Sequence, residues 1–79
     1  MDKAIFESFE DYLEEADYPQ GKKKIMRSAV ELISTKGYDG TSTLNIAEHA
    51  GLSQATLFKY FKTKVDLLTA ILHPVVPGL

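Results

Sequence analysis

Residues 44–61 read LNIAEHAGLSQATLFKYF, and this stretch decides the fold. Its pattern predicts two short helices separated by Gly51, and a glycine accepts a positive φ at a tight turn without steric cost. Ala47 supplies a small side chain where a second helix can cross the first, and Leu57 supplies an apolar anchor for that second helix. The spacing therefore favours a helix-turn-helix.

The second helix of this pair carries small or polar residues away from its apolar stripe. They are Gln54, Ala55, Thr56, Lys59 and Tyr60. The start of the second helix is the end that meets base edges in helix-turn-helix complexes with DNA. This pattern favours DNA recognition over the alternative, a helical hairpin that only packs.

The rest of the chain also has helical patterning, and no stretch alternates as a strand would. The predicted helices lie at residues 2–17, 22–36, 44–50, 54–60 and 64–72. We therefore predict an all-α fold: a homeodomain-like three-helix unit (22–36, 44–50 and 54–60) with an extra amphipathic N-terminal helix and a further helix after it.

Hydroxyl side chains precede three of these helices and are predicted to cap them: Ser42 or Thr43, Ser53, and Thr63 with Asp66 as its capping-box partner. The inner face of the last helix is predicted to comprise Val65, Leu68, Ile71 and Leu72.

Composition excludes several classes of protein. The chain has 79 residues, enough for one domain, and no cysteine, so neither disulfides nor thiolate metal sites can form. His49 and His73 lack matched carboxylates, so we expect no metal, no cofactor and no enzymatic activity. Because the longest apolar runs are short and the N-terminus is acidic, we expect a cytoplasmic protein.

Charge is divided unevenly along the chain, although the net charge is only −2. Residues 1–18 contain seven acidic residues and one lysine, whereas residues 19–79 contain eight basic and four acidic residues. An acidic leader therefore precedes a basic body, and the body has the charge expected of a DNA-binding surface.

The segment Lys22–Leu72 resembles the N-terminal domain of TetR/AcrR-family repressors. The resemblance is carried by GLSQATLFKYFKTKVDLLTAIL at Gly51–Leu72, with Lys36–Tyr38 and Thr41–Thr43 upstream. It implies binding to double-stranded operator DNA in the major groove. It also implies a homodimer formed through a C-terminal domain outside this chain, with a small-molecule effector bound by that domain.

The resemblance also implies roles for individual residues. Thr43, Tyr60 and Lys64 would contact phosphates, and the segment 54–56 would face bases or nearby phosphates. Gln54 has the groups to read an adenine bidentately. Phe58 stands where the family usually has Tyr, so it either contacts DNA through apolar atoms or packs. The full predicted DNA-contacting set is Lys22, Lys23, Lys24, Thr43, Ser53, Gln54, Ala55, Thr56, Phe58, Lys59, Tyr60 and Lys64.

The lysine triplet at 22–24 falls in the predicted first turn of its helix. Cations there oppose the helix macrodipole and cost about 0.3–1 kcal/mol each, a penalty that nearby phosphates would reverse. We interpret the triplet as a contact to the DNA backbone; the alternative is a solvated charge run.

The leading helix, 2–17, lies outside the resemblance. Its apolar stripe is Ile5, Phe9, Tyr12, Leu13 and Ala16, and we expect it to pack on the body. In the alternative it is undocked, and Phe6, Phe9, Tyr12 and Tyr18 form an exposed surface for a partner or a dimer. Its acids are also placed to repel DNA or cover the lysines. The predicted organisation is a leader (1–19), a DNA-binding domain (20–73) and the start of a linker (74–79). A helical protein-interaction module without DNA binding is the alternative function.

Overall fold

The computed structural model describes residues 3–73, and of residues 3–8 it describes only the backbone. The helices in this range are α1 (Lys3–Glu15), α2 (Gln20–Lys36), α3 (Thr43–His49), α4 (Gln54–Tyr60) and α5 (Lys64–Leu72). Residues 3–73 contain no strand, so the predicted all-α class is confirmed. The predicted linker start at 74–79, Asp2, and the side chains of Ile5 and Phe6 lie outside the described residues.

The central helix is α2, which packs against α3, α4 and α5. Its buried apolar residues are Ile25, Met26, Ala29 and Val30. The helix begins at Gln20, two residues before the predicted start, because Pro19 (φ −56°) serves as the N-cap and its carbonyl accepts a bond from the Lys23 amide at 3.2 Å. Lys24 consequently lies beyond the first turn. The cost of placing a cation near the positive end of the helix macrodipole therefore applies to Lys22 and Lys23.

The pair α3–α4 has the predicted turn geometry. Gly51 adopts φ +75°, and the Leu52 amide donates to the Ala47 carbonyl at 2.9 Å across the turn. Ile46, Ala47 and Leu57 have no exposed surface. The crossing point and the anchor are thus both buried where α4 packs against α3 and α2.

Side-chain hydroxyls cap three helices, as predicted. Ser42 accepts from the Asn45 amide at 3.0 Å, Ser53 from the Thr56 amide at 3.1 Å, and Thr63 from the Asp66 amide at 3.1 Å. Each bond satisfies one backbone N–H that the first turn would otherwise leave without a partner. The cap of α3 is therefore Ser42, and Thr43 is its first residue.

The inner face of α5 differs from the prediction. Leu67 and Ile71 are buried, four residues apart on one side of the helix, and Leu68 and Leu72 are half-buried. Val65 was predicted to face the core and is 60% exposed, so that prediction is wrong. The error has a physical cause: α5 is apolar on most of its circumference, so periodicity alone does not select the face that meets α2.

The leading helix α1 packs on the body and shares its core. Phe9 and Leu13 are buried, with relative exposures of 1% and 0%, and Tyr12 packs against the same cluster. Glu10 accepts from Arg27 Nε of α2 at 3.1 Å. The packing alternative for the leader is therefore the correct one for these residues, while the boundary drawn at residue 19 stays a prediction.

His49 is exposed and links α3 to α2. Its Nδ1 lies 2.9 Å from Ser28 Oγ and its Nε2 lies 3.3 Å from a carboxylate oxygen of Glu31. Both ring nitrogens thus have protein partners, so this histidine has a structural place in the fold. Among residues 3–73, no helix combines the length and apolar character required to cross a bilayer.

Candidate nucleic-acid interface

Helix α4 presents an outward face opposite its buried anchor. Ala55, Phe58 and Lys59 are exposed, whereas Leu57 on the same helix has no exposed surface. Gln54, Thr56 and Tyr60 are half-buried. Most of the surface of this helix that faces away from the core therefore comes from residues predicted to contact DNA. The major groove of B-DNA is wide enough to admit an α-helix that projects in this way.

At the start of α4, Ser53 and Thr56 bond to each other. Ser53 Oγ accepts from the Thr56 amide and lies 2.9 Å from Thr56 Oγ1. One of these two hydroxyls donates to the other, so the pair retains a single hydroxyl hydrogen for an external acceptor. The predicted contact residues Ser53 and Thr56 consequently act as one polar unit.

Gln54 makes a contact that crosses from α4 to α3. Its Nε2 donates to Thr43 Oγ1 at 2.9 Å. The structure thus brings together two predicted site residues that lie at the starts of the two helices. The contact links the side chain predicted to read a base with the side chain predicted to bind a phosphate.

The end of α4 meets the start of α2. The ring and the hydroxyl of Tyr60 lie 3.7 Å from the position that a Cβ would take at Gly21. Lys59 Nζ lies 5.9 Å from the centroid of the Tyr60 ring. Since Lys22 follows Gly21, the residues predicted to contact the DNA backbone at the end of α4 lie next to those at the start of α2.

Lys22 lies against aromatic rings. Its Nζ is 4.0 Å from the centroid of Tyr18 and 5.6 Å from that of Phe61, distances at which a cation is attracted by the negative face of a ring. Lys23 is half-buried and Lys24 is exposed. The triplet is therefore not a uniform charge run, because its first member is held by the protein.

Lys64 is held in a similar way at the start of α5. Its Nζ lies 4.0 Å from the centroid of the Tyr38 ring and donates a hydrogen bond to the Tyr38 carbonyl oxygen. An ammonium group has three donors, so two remain for other acceptors. The loop before α3 thus fixes the position of a cation at the start of α5.

Sequence reasoning missed three residues at this surface. Tyr18 and Tyr38 hold Lys22 and Lys64, and Leu44 on α3 is 49% exposed beside Thr43. A leucine at this position favours burial by its apolar character, so the sequence did not mark Leu44 as exposed. The pairing of Tyr18 with Lys22 spans four residues, whereas that of Tyr38 with Lys64 joins residues distant in sequence, and no local pattern marks it.

The comparisons with known proteins agree with this geometry. The family described as bacterial regulatory proteins, tetR family, matches residues 25–71. The chain is 46% identical over 50 residues to the uncharacterised HTH-type transcriptional regulator YvkB of Bacillus subtilis (strain 168); the match covers 63% of this chain and 26% of that protein.

Two further relatives have names that state a regulatory role. The chain is 36% identical over 50 residues to the tetracycline repressor protein class C of Escherichia coli, covering 63% of this chain and 23% of that protein. It is 42% identical over 46 residues to the biofilm operon icaADBC HTH-type negative transcriptional regulator IcaR of Staphylococcus aureus (strain Newman), covering 58% and 25%. The chain thus spans about a quarter of the length of these relatives. No solved structure matches it.

Proposed function

The chain belongs to the tetR family of bacterial regulatory proteins, and we propose that it binds operator DNA as the helix-turn-helix head of a transcriptional regulator. In this proposal α4 enters the major groove and its outward side chains face base edges. The observation that carries the proposal is the division of α4 into an exposed face, with Ala55, Phe58 and Lys59, and a buried anchor, Leu57.

Base contacts are assigned to the start and middle of α4. Gln54 offers an amide to an adenine, and the methyl groups of Ala55 and Thr56 are suited to a thymine methyl. Phe58 is 42% exposed on the same helix, and this exposure supports an apolar contact with DNA over a purely packing role.

Phosphate contacts are assigned to the residues around α4. They are Lys22, Lys23, Lys24, Thr43, Ser53, Lys59, Tyr60 and Lys64. The proximity of Tyr60 to Gly21 and the hydrogen bond of Gln54 with Thr43 support this assignment, because they place the starts of α2 and α3 beside α4. Cations held near a helix that enters the groove would neutralise backbone phosphates on either side of it.

The whole protein is proposed to be a cytoplasmic repressor that acts as a homodimer through a C-terminal domain, which also binds a small-molecule effector. The names of the tetracycline repressor and of the negative regulator IcaR support repression over activation. In a two-fold dimer each copy of this chain would contact one half-site of a palindromic operator.

A salt titration tests the proposal. The 79-residue chain is titrated with random-sequence duplex DNA at several salt concentrations, and log K is plotted against log[salt]. We expect a steep negative slope of about −0.9 for each phosphate neutralised. Lys23→Ala should weaken binding to all sequences alike and flatten the slope by about one contact.

Lys36→Ala is the matched control, since Lys36 is an exposed lysine in the last turn of the same helix. It lies about 20 Å along the helix axis from Lys23. The control should leave the slope unchanged. Absence of binding at low salt would refute the proposal and favour the protein-interaction alternative, and a sequence-selective loss in Lys23→Ala would refute the backbone assignment.

A further inference from the structure

The hydrogen bond between Thr43 and Gln54 joins the two helices of the helix-turn-helix at their first residues. Gln54 Nε2 donates to Thr43 Oγ1 at 2.9 Å, across eleven positions of sequence, and both residues are half-buried. The roles given to these residues by the family resemblance, a phosphate contact for Thr43 and a base contact for Gln54, do not require that they touch each other.

We infer that Thr43 is a positioning residue for base recognition, which holds the Gln54 amide in the orientation from which it reads an adenine. The inference rests on the proposed function, and it assigns Thr43 a part in sequence selectivity in addition to its proposed phosphate contact.

The hydrogen-bonding groups of the amide support this role. A glutamine amide has two N–H donors and one carbonyl acceptor, and Thr43 engages one of the donors. Bidentate recognition of adenine needs one donor, for N7, and one acceptor, for the N6 amino group. The amide held by Thr43 still has one N–H donor and its carbonyl acceptor available for adenine.

The contact with Thr43 lowers the conformational entropy that Gln54 loses on binding DNA. A glutamine side chain has three rotatable bonds, and ordering it at the moment of binding weakens affinity for the correct base. The contact with Thr43 orders the amide before DNA arrives. The nearby hydroxyls of Ser53 and Thr56 bond to each other, so each already has a partner other than Gln54.

The proposed phosphate contact of Thr43 is compatible with this role. Thr43 Oγ1 accepts from Gln54, so the hydrogen of the Thr43 hydroxyl is not consumed by the contact and remains available for donation. One hydroxyl group can therefore connect the docking of the DNA backbone with the orientation of the base-reading amide.

Thr43 can be changed without removing the cap of α3, because the capping side chain is Ser42, which accepts from the Asn45 amide. Thr43→Val preserves the shape of the side chain and removes the hydroxyl. Thr43→Ser keeps the hydroxyl and is the matched control. Gln54→Ala removes the base-reading amide itself.

The test is selection of duplexes from a random double-stranded DNA pool by the 79-residue chain and its variants at low salt. We expect the wild-type chain to prefer adenine at one position by about tenfold and Gln54→Ala to lose that preference. Thr43→Val should reduce the preference to about threefold or less while other positions keep theirs, and Thr43→Ser should retain it. The double variant Thr43→Val/Gln54→Ala should match Gln54→Ala at that position.

Thermal unfolding of each variant is measured in parallel, and Thr43→Ala replaces Thr43→Val if the latter does not fold. A variant without the Thr43 hydroxyl that keeps the full adenine preference would overturn the inference. So would an equal loss of preference at every position, which would indicate a merely structural contact. Absence of any binding of the wild-type chain to the pool would instead refute the proposed function, and the inference with it.

Discussion

The pair α3–α4 and the leading helix α1 contribute to the same core by different means. Leu57 of α4 and Leu13 of α1 both have no exposed surface. The two helices of the pair have local start signals, in the serine caps Ser42 and Ser53. In contrast, α1 ends on two glutamates, whose charge opposes the helix macrodipole.

From this difference we expect α1 to depend on its packing against the body for its helical state. Its described contacts are the buried side chains of Phe9 and Leu13 and the pair between Glu10 and Arg27 at 3.1 Å. The ion pair is partly exposed and contributes about 1 kcal/mol at most, so the apolar contacts dominate. Deleting residues 1–17 would therefore expose part of the core, and its effect on DNA binding would not report only on whether the acids of this helix cover the lysines.

The largest expected effects come from truncating the two buried leucines. Leu57→Ala and Leu13→Ala each remove a fully buried side chain, and each should cost about 2–5 kcal/mol of local stability. Leu57→Ala should lower amide hydrogen-exchange protection throughout residues 20–72. Leu13→Ala should lower protection mainly in α1, because we expect this terminal helix to open locally at a lower free energy than α2–α5.

Phe58→Ala is the control for this pair, since Phe58 neighbours Leu57 and is 42% exposed. It should change stability by only about 0.5 kcal/mol. Equal loss of protection in α1 and α4 after Leu13→Ala would show that the two regions unfold as one cooperative unit. That result would contradict the expectation that α1 opens separately from α3 and α4.

An intermediate effect is expected at the turn between α3 and α4. Gly51 has φ +75°, a conformation in which any Cβ is strained, so Gly51→Ala should lower the free energy of unfolding by about 1–2 kcal/mol. The matched control is Gly21→Ala in α2, where a Cβ meets Leu52 and Tyr60 at an ordinary 3.7 Å. That change should stabilise the helix by about 0.5 kcal/mol. Urea denaturation measures both, and the same sign for the two variants would contradict the assignment of the turn.

The smallest effect is expected at the connection between α1 and α2. Tyr12 and Tyr18 share a hydroxyl–hydroxyl hydrogen bond of 2.5 Å. This bond, followed by burial and by the nearby Tyr12 charge, raises the pKa of Tyr18 above its ordinary value of 10.0. Tyr12→Phe should cost about 0.5–1.5 kcal/mol at neutral pH.

The pH dependence follows from the direction of that shift. Because the folded state holds the Tyr18 proton more tightly than the unfolded state, this contribution to stability is complete below pH 10.0 and is lost as pH rises through the raised pKa. Tyr12→Phe should flatten this alkaline loss. Denaturation measured at a series of pH values checks it, and an unchanged pH profile in Tyr12→Phe would exclude the hydrogen bond as the cause.

Much of the fold was readable from the sequence because its signals are local. The turn at Gly51 and the caps at Ser53 and Thr63 each act within a few residues of their own position. Such features influence the chain before any tertiary contact forms, and a pattern of spacing reveals them. The family resemblance of Lys22–Leu72 rests on the same local motifs, and the match at residues 25–71 confirms it.

Tertiary structure decided what depends on residues distant in sequence. It selected Leu67 over Val65 for the core face of α5, brought α1 into the core, and paired Thr43 with Gln54 and Lys64 with Tyr38. Periodicity identifies an apolar stripe but carries no information about the partner that covers it. A side-chain pairing between two helices is set by their crossing geometry, which exists only once the whole core has packed.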